Sequence, residues 1–146
     1  MVQPTVATVG VVIFKNDDPE SVCLVEHLAG AKHMTGAYGL PAGRIEPGET
    51  PIDAAVREMQ EETGLVTTPF DMIFLKQYSA EIEQKDGMKK MSYDVYVCRK
   101  YTGSLRGSEE TRPQWVKVKD FTKIDRFLPN VKNAVEEAQQ IIETRK

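Results

Sequence analysis

Apolar residues fall along this chain in two rhythms. From Thr5 to Phe14 almost every position is β-branched or apolar, which predicts a buried strand. The cluster Asn16-Asp17-Asp18-Pro19 reads as a turn, and Ser21–Glu26 as a second strand completing a hairpin. Ala29–Gly39, with Gly30, Gly36 and Gly39, reads as an exposed loop, and Leu40-Pro41-Ala42-Gly43 as a short strand running into a bend. Two longer strands are expected at Ile73–Glu83 and Met91–Lys100, with a turn at Asp86-Gly87. In the second, Tyr93, Val95 and Val97 alternate with Asp94, Tyr96 and Cys98, as in a sheet with two unlike faces. Trp115-Val116-Lys117-Val118 is a further short strand.

Two segments carry the helical period instead. Thr50 can cap a helix whose first position is Pro51 and whose first turn holds Asp53. Gly64 is a natural stop, so this helix runs from about Pro51 to Thr63. A closing helix starts after Pro129-Asn130, with Val131, Ala134, Val135, Ala138, Ile141 and Ile142 on one stripe. The order β-β-loop-α-β-β-β-α predicts an α+β chain: a mixed sheet with two main helices packed on it as an α-β-α sandwich.

The 146 residues suit a single domain spanning 1–146, long enough to bury a core without staples. Apolar residues at 40% and charged residues at 28% exclude a disordered or repetitive chain. The longest apolar stretch, around Val9–Phe14, is far short of the ~20 residues that cross a bilayer, so no membrane role is expected. No basic, then apolar, leader opens the sequence. Two cysteines, Cys23 and Cys98, make no disulfide framework and fit a reducing cytoplasm. The net charge of −3, from 22 acidic and 19 basic residues, argues against a long nucleic acid as partner.

The placement of the acids says more than their sum. On the first helix Ile52, Ala55, Val56 and Met59 share one face, and Glu58, Glu61 and Glu62 share another. Like charges at this spacing repel, and Glu46, Glu49 and Asp53 lie just upstream. A solvated helix face tolerates such a run. A divalent cation would explain it: hard carboxylate oxygens suit Mg²⁺ or Mn²⁺, which bind phosphates and activate water. Gly43 and Gly48 let the preceding loop approach closely.

The whole segment has a fixed form: Gly43, five residues, Glu49, seven residues, then Arg57-Glu58-Met59-Gln60-Glu61-Glu62-Thr63-Gly64-Leu65. It resembles the Nudix box at every fixed position, with Met59 and Leu65 in the two aliphatic places. The resemblance implies an α-β-α sandwich and an enzyme that hydrolyses nucleoside diphosphates linked to another group. It implies Glu58, Glu61 and Glu62 as Mg²⁺ ligands, with the Gly43 carbonyl a fourth. Glu58 is also a candidate to orient or deprotonate the water. Arg57 joins Glu58 and Glu61 among the candidate catalytic residues and, with Glu49, supports the site by ion pairing. Gly64 is a backbone residue and Met59 faces the core. The general base comes from the box or from a later loop, where Glu109 and Glu110 precede Trp115. Glu109 is the further metal candidate and Trp115 is expected to pack in the core.

The downstream markers of ADP-ribose and dinucleoside-polyphosphate subclasses are absent, since those places hold Ala80, Glu81 and Ile82. Phe127-Leu128-Pro129-Asn130 is similar to the stretch by which MutT-type enzymes contact a purine. Asn130 is therefore the candidate for base recognition, and equally a helix cap. The second strand ends in Glu26, His27 and Leu28 rather than arginines, so Arg44, Lys32 or His33 would meet the phosphates. The expected activity is Mg²⁺-dependent conversion of (deoxy)nucleoside triphosphates, including oxidised purines, to monophosphate and pyrophosphate. An ADP-ribose or nucleotide-sugar pyrophosphatase is the alternative, then a silent nucleotide-binding module. The partner is a small nucleotide, and the chain is a monomer or homodimer.

Overall fold

The computed structural model describes residues 5–16, 18–28, 35–84 and 87–144. Its strands are β1 (Val6–Lys15), β2 (Asp18–His27), β3 (Tyr38–Gly39), β4 (Ala42–Arg44), β5 (Met72–Gln84), β6 (Gly87–Cys98) and β7 (Thr111–Lys117). Its helices are α1 (Pro51–Thr63) and α2 (Val131–Thr144), with 3₁₀ turns at Pro69–Asp71 and Val118–Lys123.

The main path of the mixed sheet runs β3-β2-β1-β6-β5, with β4 on β1 and β7 on β2. β1 and β6 are parallel from Val6↔Met91 to Ile13↔Cys98, and the other pairings are antiparallel. The other edge of β1 is shared: β4 takes Thr8–Gly10, and β2 takes Phe14 and Lys15.

The two faces carry separate cores, which is why β1 is apolar without alternation. Val9, Val11 and Ile13 face α1 with Cys23, Ala54, Ala55, Met59, Leu65, Tyr96 and Cys98. Val12 and Phe14 face α2 with Val22, Leu24, Val95, Val97, Ala134, Val135 and Ala138. Trp115 packs against the α1 core and stacks on Tyr101, ring centroids 6.0 Å apart, as expected of a packing residue. The α-β-α sandwich is therefore the observed architecture.

Four expectations need correction. The strand expected at Met91–Lys100 runs from Gly87 to Cys98, because its pairing with β5 continues to Gln84↔Gly87. The second strand begins at Asp18 rather than Ser21, because the hairpin closes through Lys15↔Asp18 with a bulge after Phe14. Asp18 accepts bonds from the Glu20 amide at 3.1 Å and the Ser21 hydroxyl at 2.6 Å, tying the strand start to itself. The strand expected at Leu40–Gly43 is confined to β4, Ala42–Arg44, and the last two residues of the expected Ala29–Gly39 loop form β3, with Leu40-Pro41 between the two. The strand expected at Trp115–Val118 starts at Thr111 and ends at Lys117. Its first half reads in the sequence as part of the acidic loop before Trp115; Pro113 fits there because an edge strand tolerates proline. Asp86 of the expected turn and residues 29–34 of the expected loop, with Lys32 and His33, lie outside the described residues.

Candidate active site

Helix α1 forms where its start and stop signals place it. Thr50 is extended and its hydroxyl accepts the Asp53 amide at 3.3 Å; Gly64, at φ 84°, donates its amide to the Gln60 carbonyl. A side chain at Gly64 would also meet the Ser104 carbonyl at 2.8 Å. The helix buries Ala54, Ala55, Met59 and Thr63 against the sheet. That fixes its rotation and turns Arg57, Glu58, Glu61 and Glu62 toward the loop after β4.

Arg57 is the centre of this face. Its Nε donates to Glu49 at 2.7 Å and its Nη2 to the other Glu49 oxygen at 2.8 Å, a bidentate pair. Nη1 donates to Glu58 at 2.8 Å and to Glu61 at 3.1 Å, and stands 3.7 Å from Glu46. Nη2 also donates to the Arg44 carbonyl at 2.9 Å. The guanidinium thus clamps the loop to the helix. Arg44 contributes its backbone here, while its side chain is exposed. Glu49 closes the loop by accepting the Glu46 amide at 3.0 Å.

Gly43 explains itself by its neighbour. A Cβ there would overlap all three carboxylate atoms of Glu58. β4 therefore passes closer to Glu58 than any other residue would allow.

The carboxylates sit in unlike environments. The Arg57 bond and the Glu46 amide hold Glu49 down at about 2, and its pairing pushes Arg57 up. Burial raises Glu58, opposed by Arg57. Glu62 is pushed up to about 7, by burial first and then by the Glu58 charge, with the Thr111 hydroxyl opposing. That hydroxyl donates to Glu62 at 3.3 Å. Arg57 bonds three carboxylates, Glu49, Glu58 and Glu61, and Glu62 stands beside Glu58 without an arginine partner, so the cluster holds more negative than positive charge. Among the described residues no group of three or more His, Cys, Asp and Glu side chains stands arranged to hold a metal ion. The donor set itself, hard oxygens with uncompensated charge, fits a divalent cation.

The structure brings Gly43, the Arg44 carbonyl, Glu49, Arg57, Glu58, Glu61 and Glu62 together, while Gly64 caps the far end of α1 against Ser104 and Arg106. From the later loop, the charge acting on Glu62 is that of Glu110. Glu109 is exposed in the adjoining bend. Ser108 shapes that bend, its hydroxyl accepting the Glu110 and Thr111 amides at 3.2 Å.

Asn130 lies apart, on the α2 face. It has φ 69°, a left-handed conformation that asparagine tolerates, rather than the extended one of an ordinary cap. Its carbonyl accepts the first helical bond, from Ala134, but its side-chain amide donates to the Ser79 carbonyl at 3.1 Å. It lines a cavity with Leu40, Ala42, Tyr78, Tyr93 and Leu128. β4 joins the two regions, since Ala42 lines the cavity and Gly43 faces Glu58.

Sequence reasoning missed Thr111 and Arg112. Strand register brings Arg112 opposite Glu26, and the two pair at 2.6 Å. A guanidinium therefore does stand at the end of β2, supplied by β7. Nothing local announces either contact, because the partners are 49 and 86 residues apart.

Comparison with known proteins identifies this arrangement. The sequence model of the NUDIX domain matches residues 4–138. The chain belongs to the Nudix family. Nudix hydrolases generally use divalent metal ions. Among curated Nudix relatives, the 8-oxo-dGTP diphosphatase of Escherichia coli is 27% identical over 108 residues, covering 74% of this chain and 78% of that protein. The mouse 8-oxo-dGDP phosphatase NUDT18 is 35% identical over 68 residues, 47% of this chain; the chain spans only 20% of that relative. The fold matches the MutT Nudix hydrolase of Burkholderia pseudomallei with a TM-score of 0.76 at 19% identity, covering 92% of this chain and 98% of that one. The Nudix domain of Shewanella oneidensis NrtR, solved with ADP ribose, matches equally well, with a TM-score of 0.76 at 18% identity, covering 97% and 90%. No helix among the described residues is long and apolar enough to cross a membrane.

Proposed function

We propose that this chain is a Mg²⁺-dependent Nudix pyrophosphohydrolase. It cleaves (deoxy)nucleoside triphosphates, with purines and oxidised purines as the preferred class, to a nucleoside monophosphate and pyrophosphate. The observation that carries the reading is the Gly43–Glu58 contact inside a cluster in which one arginine bonds three carboxylates, Glu49, Glu58 and Glu61. Glu58, Glu61 and Glu62, with the Gly43 carbonyl, would hold Mg²⁺, and the same oxygens accept Mn²⁺. The cation supplies the positive charge that the pyrophosphate oxygens need.

The chain's own residues do the rest. Glu58, held on one oxygen by Arg57, keeps the other to orient a water and take its proton. The water oxygen bonds to a phosphorus of the link as the P–O bond to the leaving pyrophosphate breaks with its electron pair. Arg57 and Glu49 position Glu58 and the loop, so that no reorganisation is needed during the step. Glu110, facing Glu62, is favoured over Glu109 as the acid reaching in from the later loop. Asn130 can present its remaining amide hydrogen and carbonyl to a purine edge. The name of the E. coli relative supports the oxidised-purine class.

A panel of nucleotides incubated with Mg²⁺, with products identified by chromatography, tests the reading. Monophosphate and pyrophosphate from purine triphosphates support it. AMP with ribose phosphate from ADP-ribose would replace the substrate class. No hydrolysis of any nucleoside diphosphate derivative would leave a binding module.

A further inference from the structure

A cavity of small-molecule size lies away from the carboxylate cluster. It opens where β1 ends and β5 begins, lined by Phe14, Lys15, Asn16, Phe70, Arg99 and Lys100 among others, and encloses about 520 Å³. The box meets β1 at Thr8 and Val9, while the cavity meets it at Phe14 to Asn16. At about 3.3 Å per residue the two stand roughly 20 Å apart along the sheet.

Its chemistry is specific. Lys15, Arg99 and Lys100 converge on the cavity, and among the described residues none of their side chains is in an ion pair. Of the two acids on its wall, Asp18 is already committed to Lys117 at 2.9 Å and to the Ser21 hydroxyl, while Asp71 accepts the Thr68 hydroxyl at 3.4 Å. Among the described residues of the rim, three cations therefore face one unpaired carboxylate, in a protein whose net charge is −3. Phe70 stands on the same rim and is 99% exposed, a bare aromatic face on the Pro69–Asp71 turn. Phe14 and Ile73 supply an apolar floor. The wall is fixed in place: Tyr101 accepts the Asn16 amide at 3.0 Å and donates to the Phe14 carbonyl at 2.8 Å.

We propose that this cavity is a second, metal-independent site for a nucleoside monophosphate. The base stacks on Phe70 and the phosphate is held by Arg99, Lys15 and Lys100. An exposed aromatic beside unpaired cations matches a planar ring joined to an anion, and neither half alone uses both features. A volume of about 520 Å³ lies in the range of small-molecule sites.

The test uses the full chain in EDTA, so that binding at a metal site does not contribute. AMP, adenosine and inorganic phosphate are titrated separately, and backbone amide shifts are followed by NMR. AMP at millimolar concentration should move Lys15, Asn16, Asp71, Arg99 and Lys100, with adenosine and phosphate each binding at least about tenfold more weakly. Arg99→Gln with Lys100→Gln should weaken AMP by about tenfold or more. Phe70→Ala should weaken AMP and adenosine but leave phosphate unchanged. These surface variants should keep the wild-type amide spectrum elsewhere. Shifts confined to residues 43–62, no shifts at all, or equal affinity for AMP in wild type and variants would each overturn the proposal.

Discussion

Replacing Gly43 by alanine isolates the contact on which the proposed mechanism rests. Gly43 is not at positive φ, so alanine can adopt its backbone conformation without strain. The new methyl would overlap every atom of the Glu58 carboxylate. Carbon atoms in contact rest about 3.5–4.0 Å apart, so the carboxylate must move by something over 1 Å. Displacing a reacting group by about 1 Å costs on the order of 10²-fold in rate. Only 13% of the Glu58 side chain is accessible, and moving it breaks its 2.8 Å bond to Arg57, so stability should also fall, by about 1–3 kcal/mol. Gly48 separates the loss of stability from the loss of rate. It has φ 81° with open space around it, so Gly48→Ala strains the backbone and costs about 1 kcal/mol while leaving Glu58 in place. Steady-state kinetics with Mg²⁺ and urea unfolding on both variants decide the matter. Wild-type kcat in Gly43→Ala would refute the reasoning, as would a loss of kcat in Gly48→Ala larger than in Gly43→Ala.

Other expectations follow from the same geometry. Glu62→Gln keeps volume but removes a ligand charge, so Mn²⁺ affinity by titration calorimetry should fall about tenfold or more, with the fold intact by circular dichroism. Asp18 is lowered from 3.8 to about 2, first by the Ser21 hydroxyl and then by Lys117. Its contribution to stability is therefore present above pH 4 and lost as pH falls toward 2; the gap between wild type and Asp18→Asn in urea unfolding should close over that window. Asn130→Ala loses both the Ser79 bond and an asparagine's tolerance of φ 69°. It should lower stability by about 1–2 kcal/mol and raise KM for purine triphosphates relative to pyrimidine ones. An unchanged base preference would remove Asn130 from recognition.

The parts of the fold that were legible are those written in local chemistry. Thr50, Pro51 and Gly64 act within a few residues of themselves, and α1 spans Pro51–Thr63 as they require. The unbroken apolar run of β1 reported two covered faces, and both helices are there to cover them. The Arg57–Glu49 pair was legible through the resemblance to the Nudix box, which implies it, and the two side chains do meet at 2.7 Å. What stayed hidden depends on register between distant strands. The start of β7 reads as loop in the sequence, and only the β2–β7 pairing puts Arg112 beside Glu26 and sets Thr111 at the strand end from which it meets Glu62. Asn130 was read as base reader or cap, but the path of β5 gives its amide a third partner, Ser79.

The central claim is that the α1 carboxylates are a cation site that drives pyrophosphate hydrolysis. The most direct measurement is ³¹P NMR of dGTP turnover as Mg²⁺ is titrated, on wild type and Glu61→Gln side by side. Glu61 is largely exposed, with 58% of its side chain accessible, so its loss should not disturb folding. The account predicts dGMP and pyrophosphate only when Mg²⁺ is present, and a rate lower by about 10²-fold in the variant at saturating Mg²⁺. Equal turnover in the two proteins, or turnover of wild type without a divalent cation, would contradict it.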